Sequence, residues 1–574
     1  MITAHKNIRI LLSLLKQYDI RHFVISPGSR NMSIVKSVED DPFFICYSVV
    51  DERSAAYFAI GLSLELRAPI VLTCTSGQAT RNYLPGMTEA FYRKAPILAV
   101  TADYDENFTS QMTMQSLRQT SIPSDAANVS VDIPIVKDKN DEQMVIRRLN
   151  EALDALSRKG PGPAHVNLRI DQHWVQGRDE LETARKITRH LALDAEWPAI
   201  GGRKVLLAIG QHHPFSDAET VTLDEFAQKH DVAIYVNHIS NYNGRKSIHG
   251  NLRLMTASPG DLRPDLTISI GGLSGDYALD GFLKRNGVEH WRVCEDGAYG
   301  DTYCSLTRIF ECPDQFFFQR SSKAAQGNAE NRYYEKWVEE LSAVSVPDSF
   351  PLSHALVAQK LTQLLPRDAN LHLAILSSLR FWEFFPLAHS IRCYSNVAGF
   401  GIDGCLSTFL GQSVASKALN FLVIGDLSFF YDMNAIGIRH LRNNIRIVLI
   451  NNNGGGEFRV KTHAADQFGD DSNRHIAASG HFGESAEGWV TNNKFRYIGV
   501  RRKEELAQAL QELVSPSDRP VLMEVFTCMT DDAASLHAFT VANDQTPQSQ
   551  KLIQAVKAIV PHDLKTGLKR LIGR

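Results

Sequence analysis

The stretch FLVIGDLSFFYDMNAIGIRHLRNNIRIVLINNNGGG, residues 421–456, reads as an apolar strand, a Gly-Asp turn, a helix, a second apolar strand, and an Asn-rich turn with three glycines. Two buried strands joined through a helix form a right-handed parallel crossover. Their ends then lie side by side at the carboxyl edge of the sheet, where open α/β sheets bind ligands. Asp426 follows the first strand and Asn452 the second. A carboxylate, an amide oxygen and a backbone carbonyl make a hard-oxygen set, suited to Mg2+ or Mn2+ that also takes phosphate oxygens. Register within Asn451-Asn452-Asn453 leaves Asn453 as a rival ligand. Ser428 and the backbone N–H groups of Leu427 and Ser428 are placed to hold a diphosphate at the helix start. The glycines let the turn approach a metal closely.

Outward from this unit, the same alternation recurs. HFVIS (22–26), FFICYSV (43–49), PIVLTCT (69–75), PILAVTAD (96–103) and PAHVNLR (163–169) read as buried parallel strands separated by helical patterns. A polar stretch at 175–202 reads as a linker to a second α/β unit, with strands at 204–210, 231–237 and 265–272. Another polar stretch, 321–337, leads to the third. The expected organisation is α/β throughout, with three doubly wound parallel-sheet domains at 1–180, 200–330 and 340–548, then a basic tail at 549–574.

With 574 residues, 44% hydrophobic, 22% charged and a net charge of −3, the chain has an ordinary globular balance and no electrostatic footprint for nucleic acid. Its eight cysteines form no CxxC pair and no zinc-type spacing, which fits free thiols in a reducing compartment, and a cytoplasmic location. The tail QKLIQAVKAIVPHDLKTGLKRLIGR, 550–574, is basic and amphipathic, so weak contact with an anionic membrane surface or a docked terminal helix are both open. The polar loop 457–483, with His463, His475 and His481, reads as a solvated loop or a lid.

Further stretches extend the reading: ISPGSR (25–30), VVDERSAAYFAIGL (49–62), TSGQATRN (75–82), TADY (101–104), QSLRQ (115–119) and YSNVAGFGIDGCLST (394–408). Together with Gly-Asp and Asn-Asn, they make the chain resemble thiamine-diphosphate enzymes, and among them the menaquinone-pathway synthases, over nearly its whole length. The resemblance implies thiamine diphosphate with Mg2+ or Mn2+, and pyrimidine-binding, central and diphosphate-binding domains. It also implies a homo-oligomer with the cofactor held between subunits. Glu52 matches the acid that contacts the aminopyrimidine and Ile402 the apolar prop under the cofactor. Asp426, Asn452 and the Gly454 carbonyl match the metal ligands. Gln115, Ser29 and Arg30 match polar groups on the substrate side.

The same resemblance expects basic residues to clamp acidic substrates. Those positions hold Tyr104, Asp276, Tyr277, Val397 and Trp382 instead, with Arg380 close by. Each lost arginine–carboxylate pair removes on the order of 1.5–3 kcal/mol of binding. The expected function is therefore decarboxylation of a 2-oxo acid with transfer of the acyl-anion equivalent to an acceptor, the donor, the acceptor or both differing from the orthodox ones; a less acidic, sugar-like or aldehyde-bearing acceptor fits Tyr104, Tyr277 and Trp382. The orthodox reaction of 2-oxoglutarate with isochorismate, a simple decarboxylase and an inactive cofactor-binding subunit are the alternatives.

Overall fold

The computed structural model describes residues 1–543 apart from 178–179, 257–261, 326–328, 331, 462 and 481–483. The basic tail and His481 lie outside the described residues. Three all-parallel arrays of strands with covering helices are present, distributed over two compact bodies.

The first body comprises residues 1–194 and 295–311. Its sheet contains β1 (His22–Ile25), β2 (Ile45–Ser48), β3 (Ile70–Cys74), β4 (Ile97–Asp103), β5 (Val129–Ile133) and β6 (Ala164–Arg169), in the order β2-β1-β3-β4-β6-β5. The helix Lys6–Gln17 exists because Ile8, Leu11, Leu12 and Leu15 recur at i, i+3, i+4 and i+7 and are all buried. The helix Glu52–Leu66 begins where the Asp51 carboxylate accepts the Ser54 N–H at 2.7 Å. It buries a small-residue face, Ala55, Ala56 and Ala59, against which the helix Leu84–Arg93 packs closely: a Cβ on Gly86 would lie 2.4 Å from that of Ala56.

Two details differ from the sequence reading. The segment 43–49 reads as a buried strand, yet β2 is largely exposed because it is the outermost strand of the order. The polar stretch 175–202 contains a strand, β7 (Thr188–Leu191), which pairs in parallel with Leu306–Glu311. Its charge is accommodated because Arg189 reaches Glu311 at 2.6 Å and Asp154 at 3.1 Å.

The second body comprises residues 195–294 and the described residues from 312 onward. Its first strands are β8 (Val205–Ile209), β9 (Val232–Tyr235), β10 (Ser247–Ile248), β11 (Leu266–Ile270) and β12 (Glu289–Val293), in the order β10-β9-β8-β11-β12. After β13 (Leu306–Glu311), which belongs to the first body, come β14 (Asn370–Leu373), β15 (Arg392–Tyr394), β16 (Asn420–Gly425), β17 (Ile445–Asn451), β18 (Arg496–Val500) and β19 (Val521–Phe526). They are ordered β15-β14-β16-β17-β19-β18. Both faces of this sheet are apolar. Phe421, Val423, Val448 and Ile450 belong to one core, while Leu422, Ile424, Ile447 and Leu449 belong to another. Covering both faces explains the near-continuous apolar runs that mark β16 and β17 in the sequence. Strand order reverses between β14 and β16, so the carboxyl ends of β14, β16 and β17 border the switch point.

Candidate active site

At the end of β16, Asp426 is 5% exposed, and Asn452 at the end of β17 is 9% exposed. Asp426 Oδ1 accepts from Leu427 N at 2.7 Å, and its Oδ2 accepts from Gly454 N at 2.9 Å, so the Gly-Asp turn and the glycine turn are stitched together directly. Burial pushes the Asp426 carboxyl up to about 6, against backbone hydrogen bonds from Leu427, Gly454 and Asn453.

Asn452 donates through Nδ2 to Asp532 at 2.8 Å, while its buried Oδ1 has no hydrogen-bond partner among the described residues. An orphaned amide oxygen beside a buried carboxylate is the kind of cradle a hard cation fills. Asn453, by contrast, is exposed at φ +63°, and its Oδ1 accepts from Gly480 N at 3.0 Å. Gly454 has φ +150°, and a Cβ there would sit 2.8 Å from the Ala477 carbonyl oxygen. Only glycine suits that backbone and that space.

Ser428 donates its hydroxyl to the Ile402 carbonyl, which ties the loop before the helix Cys405–Ala415 to the Asp426 turn. Ile402, half-buried, packs against the core beneath. Ile402, Asp426, Leu427, Ser428, Asn452 and Gly454 are thus brought together as one constellation.

In the first body, Ser29 and Arg30 follow β1, Glu52 follows β2, Gly77 follows β3 and Tyr104 follows β4, all at the same sheet edge. Glu52, half-buried, accepts from Asn82 Nδ2 at 3.1 Å. Arg30 is buried, with its guanidinium 3.8 Å from the Tyr104 ring centroid and Nη1 donating to the Ile170 carbonyl at 3.2 Å. Its Nε has no hydrogen-bond partner among the described residues. Ser29 is exposed, and so is Gln115, whose backbone has φ +60° and packs against Gly77.

Two residues absent from the sequence reading support these loops. Gln119, 1% exposed, accepts from Gly77 N at 2.8 Å and donates to the Ala102 carbonyl at 3.1 Å and to Asn167 Oδ1 at 2.9 Å. Asp532 accepts from Asn452 Nδ2, from His354 N at 2.7 Å and from Thr527 Oγ1 at 3.3 Å. Gln119 stands in the quoted QSLRQ, but nothing in the sequence distinguishes its burial from that of Gln115. Asp532 lies 80 residues beyond its partner and carries no local signal.

The remaining positions have varied settings. Trp382 is fully buried in the core. Val397 is likewise fully buried. Asp276 is engaged locally: Oδ1 caps the helix Tyr277–Asn286 through Ala278 N and Leu279 N, and Oδ2 accepts from Tyr235 OH at 2.6 Å. Tyr277 is 62% exposed and borders a cavity of about 760 Å³ in the second body, which Phe400, Arg380, Glu457, Lys461 and Arg285 also line. Arg380 and Glu457 form a bidentate pair at 2.7 and 3.0 Å. No ion pair engages Lys461 or Arg285 among the described residues.

The fold and these two constellations define a thiamine-diphosphate enzyme. Residues 6–122 match the family model described as "Thiamine pyrophosphate enzyme, N-terminal TPP binding domain". Over most of its length the chain is similar to proteins named 2-succinyl-5-enolpyruvyl-6-hydroxy-3-cyclohexene-1-carboxylate synthase. The one from Bacteroides thetaiotaomicron is 34% identical over 559 residues, covering 93% of this chain and 98% of the relative. Those from Phocaeicola vulgatus (over 563 residues, 94% and 98%) and Bacteroides fragilis (over 560 residues, 93% and 98%) are each 33% identical. The chain belongs to this synthase family, a group of transferases that use thiamine diphosphate with a divalent metal ion. No helix among the described residues is long and apolar enough to cross a membrane.

Proposed function

We propose that this chain decarboxylates a 2-oxo acid and transfers the remaining acyl-anion equivalent to an acceptor less acidic than isochorismate, of the aldehyde or sugar-like class. The observation that carries this reading is the cavity wall of the second body. Where the family resemblance expects bases, it presents Tyr277 with Phe400 alongside, ring centroids 6.1 Å apart. Its Arg380 is already satisfied by Glu457. Lys461 and Arg285 remain for a substrate carboxylate, enough for one acid and not for several. Tyrosine offers a stacking face and a hydroxyl, which suit a polyhydroxylated or carbonyl-bearing acceptor.

In this reading Asp426, Asn452 and the Gly454 carbonyl hold Mg2+ or Mn2+, and Leu427 and Ser428 face the diphosphate. When bound, thiamine diphosphate supplies the electron sink for the carbanion left by loss of carbon dioxide. Glu52 would face the aminopyrimidine of the bound cofactor, where its carboxyl is the group placed to hydrogen-bond a ring nitrogen and assist proton transfer. Asn82 fixes that carboxyl. Gln115, Ser29 and Arg30 orient the substrate side, with Arg30 braced by Tyr104. The chain acts as a homo-oligomer that covers the exposed apolar residues around Glu52, among them Val50 (73% exposed), Tyr57 (47%) and Phe58 (44%).

The 33–34% identity to proteins bearing the synthase name favours a second reading, the orthodox reaction. Carbon dioxide release by purified protein with thiamine diphosphate and Mg2+ separates the two. A panel of 2-oxo acids is offered with isochorismate or with simple aldehydes and aldoses. Turnover confined to 2-oxoglutarate with isochorismate refutes the proposal; product formation with a neutral acceptor supports it.

A further inference from the structure

Apart from the constellation at Asp426, the second body holds another set of metal-ligating side chains. His238 lies in the turn His238–Ser240 after β9, His249 follows β10, and Glu383 ends the helix Ser377–Trp382. One ligand atom from each lies within 4.8 Å of the others. The Glu383 side chain is 6% exposed. Its Oε1 accepts from His238 N at 2.8 Å, and its Oε2 is 4.0 Å from His249 Nδ1. Among the described residues no lysine or arginine pairs with it.

The histidine geometry supplies an independent observation. His238 Nε2 lies 2.8 Å from the Trp382 carbonyl oxygen and 3.1 Å from that of Phe385. Carbonyl oxygens only accept, so Nε2 carries the proton and the lone pair remains on Nδ1. A ring whose far nitrogen donates to backbone carbonyls is oriented as metal-binding histidines are. Glu383, for its part, is a buried carboxylate without a counter-cation, a costly arrangement unless it is neutralised. Burial accordingly pushes its carboxyl up to about 7.

We propose that His238, His249 and Glu383 bind a dication of the Zn2+ class at a site separate from the diphosphate metal. Two imidazole nitrogens and one carboxylate favour Zn2+ over Mg2+, and three protein ligands leave a fourth position open. Glu383 also lines the cavity bordered by Tyr277 and Arg380, which brings one of the three ligands to the cavity wall; the fourth position takes water or an oxygen of a bound molecule. Ligands about 2.1 Å from a tetrahedral ion stand roughly 3.4 Å apart, so small rotamer adjustments of His249 and Glu383 complete the site.

The test uses the full-length protein with saturating thiamine diphosphate and Mg2+, so that the first metal site is filled. Zn2+ is titrated against a chromogenic chelator, with wild type, His249→Ala and Glu383→Gln in parallel. The expected result is one Zn2+ per wild-type chain, with affinity reduced at least about 100-fold in both variants. His249 is 42% exposed, so its removal opens no core cavity, and an unchanged melting curve verifies the fold. Co2+ gives a second readout: visible bands of a nitrogen-ligated ion appear in wild type and vanish in His249→Ala. No Zn2+ uptake by wild type, or equal uptake by wild type and His249→Ala, overturns the proposal.

Discussion

Replacing Asn452 with alanine separates folding from cofactor binding in a way the geometry makes quantitative. The side chain makes one hydrogen bond, from Nδ2 to the buried Asp532 carboxylate at 2.8 Å, and carries one buried oxygen with no partner. Removing the bond to a charged group costs about 1.5–3 kcal/mol, while removing an unsatisfied buried acceptor returns about 1–3 kcal/mol. The two nearly cancel, so the cofactor-free variant should melt within a few degrees of wild type. Cofactor binding behaves differently. A ligand at 100 times its Kd stabilises the folded state by about 2.7 kcal/mol. Weakening Kd about 100-fold leaves roughly 0.4 kcal/mol, because the ligand is then only at its Kd. With about 2.1 cal/mol/K of unfolding entropy per residue over 574 residues, melting with and without thiamine diphosphate and Mg2+ therefore shows an upward shift of about 2 °C in wild type and almost none in Asn452→Ala. Asn453→Ala, whose amide is exposed, should keep the shift. An undiminished shift in Asn452→Ala, or its loss only in Asn453→Ala, refutes the assignment of Asn452 as the ligand.

Glu52→Gln keeps an oxygen for the Asn82 amide but loses the acidic proton, and should lower carbon dioxide release about 10²–10⁴-fold with little change in cofactor affinity measured by calorimetry. Gln119→Leu removes three buried hydrogen bonds and leaves Gly77 N–H and Asn167 Oδ1 without this partner, so chemical denaturation should report a loss of about 2–4 kcal/mol. Acid acts on the protein through two opposed sets of buried groups: histidines that resist protonation, and carboxyls such as Asp426 and Asp532, raised to about 6 by burial, that take up protons in the folded state first. Burial lowers His354 to about 3, and His165 and His372 to about 4, from an ordinary 6.5. The unfolded chain therefore takes up protons below pH 6.5 that the folded chain refuses. The histidine contribution is complete above 6.5 and falls by up to about 1.4 kcal/mol per pH unit per histidine down toward pH 4; wild type should therefore lose stability more steeply than His354→Phe between pH 6.5 and 5, and identical slopes contradict this. Replacing Val50 and Phe58 with glutamate should shift light-scattering mass toward the monomer and reduce activity together, whereas an unchanged mass places the subunit interface elsewhere.

Much of the fold was legible because β16 and β17 are apolar on both faces, and because Gly-Asp and Asn-Asn mark their ends. The exposed edge strand β2 reads as buried in the sequence because an isolated apolar run says nothing about its neighbours. β7 was missed because its charges are neutralised by Asp154 and Glu311, distant in sequence. The turns at Asp426 and Asn452 could be read locally, whereas their supports could not. Nothing near Asp532 announces Asn452, and no pattern in QSLRQ separates the buried Gln119 from the exposed Gln115. Trp382 shows the opposite limit: its place in SSLRFWEFF suggests the substrate side, whereas its indole is part of the core.

The contact between Asn452 and Asp532 also bears on how the protein is made. Synthesis runs from the N-terminus, so Asn452 is made 80 residues before the carboxylate that orients it, and the other proposed ligands, Asp426 and Gly454, also precede that carboxylate. A nascent chain ending near residue 525 would display the full set of ligands without the group that aims the amide. Capture of the metal would then await the helix Met529–Ala542 that carries Asp532, making cofactor loading a late event in synthesis.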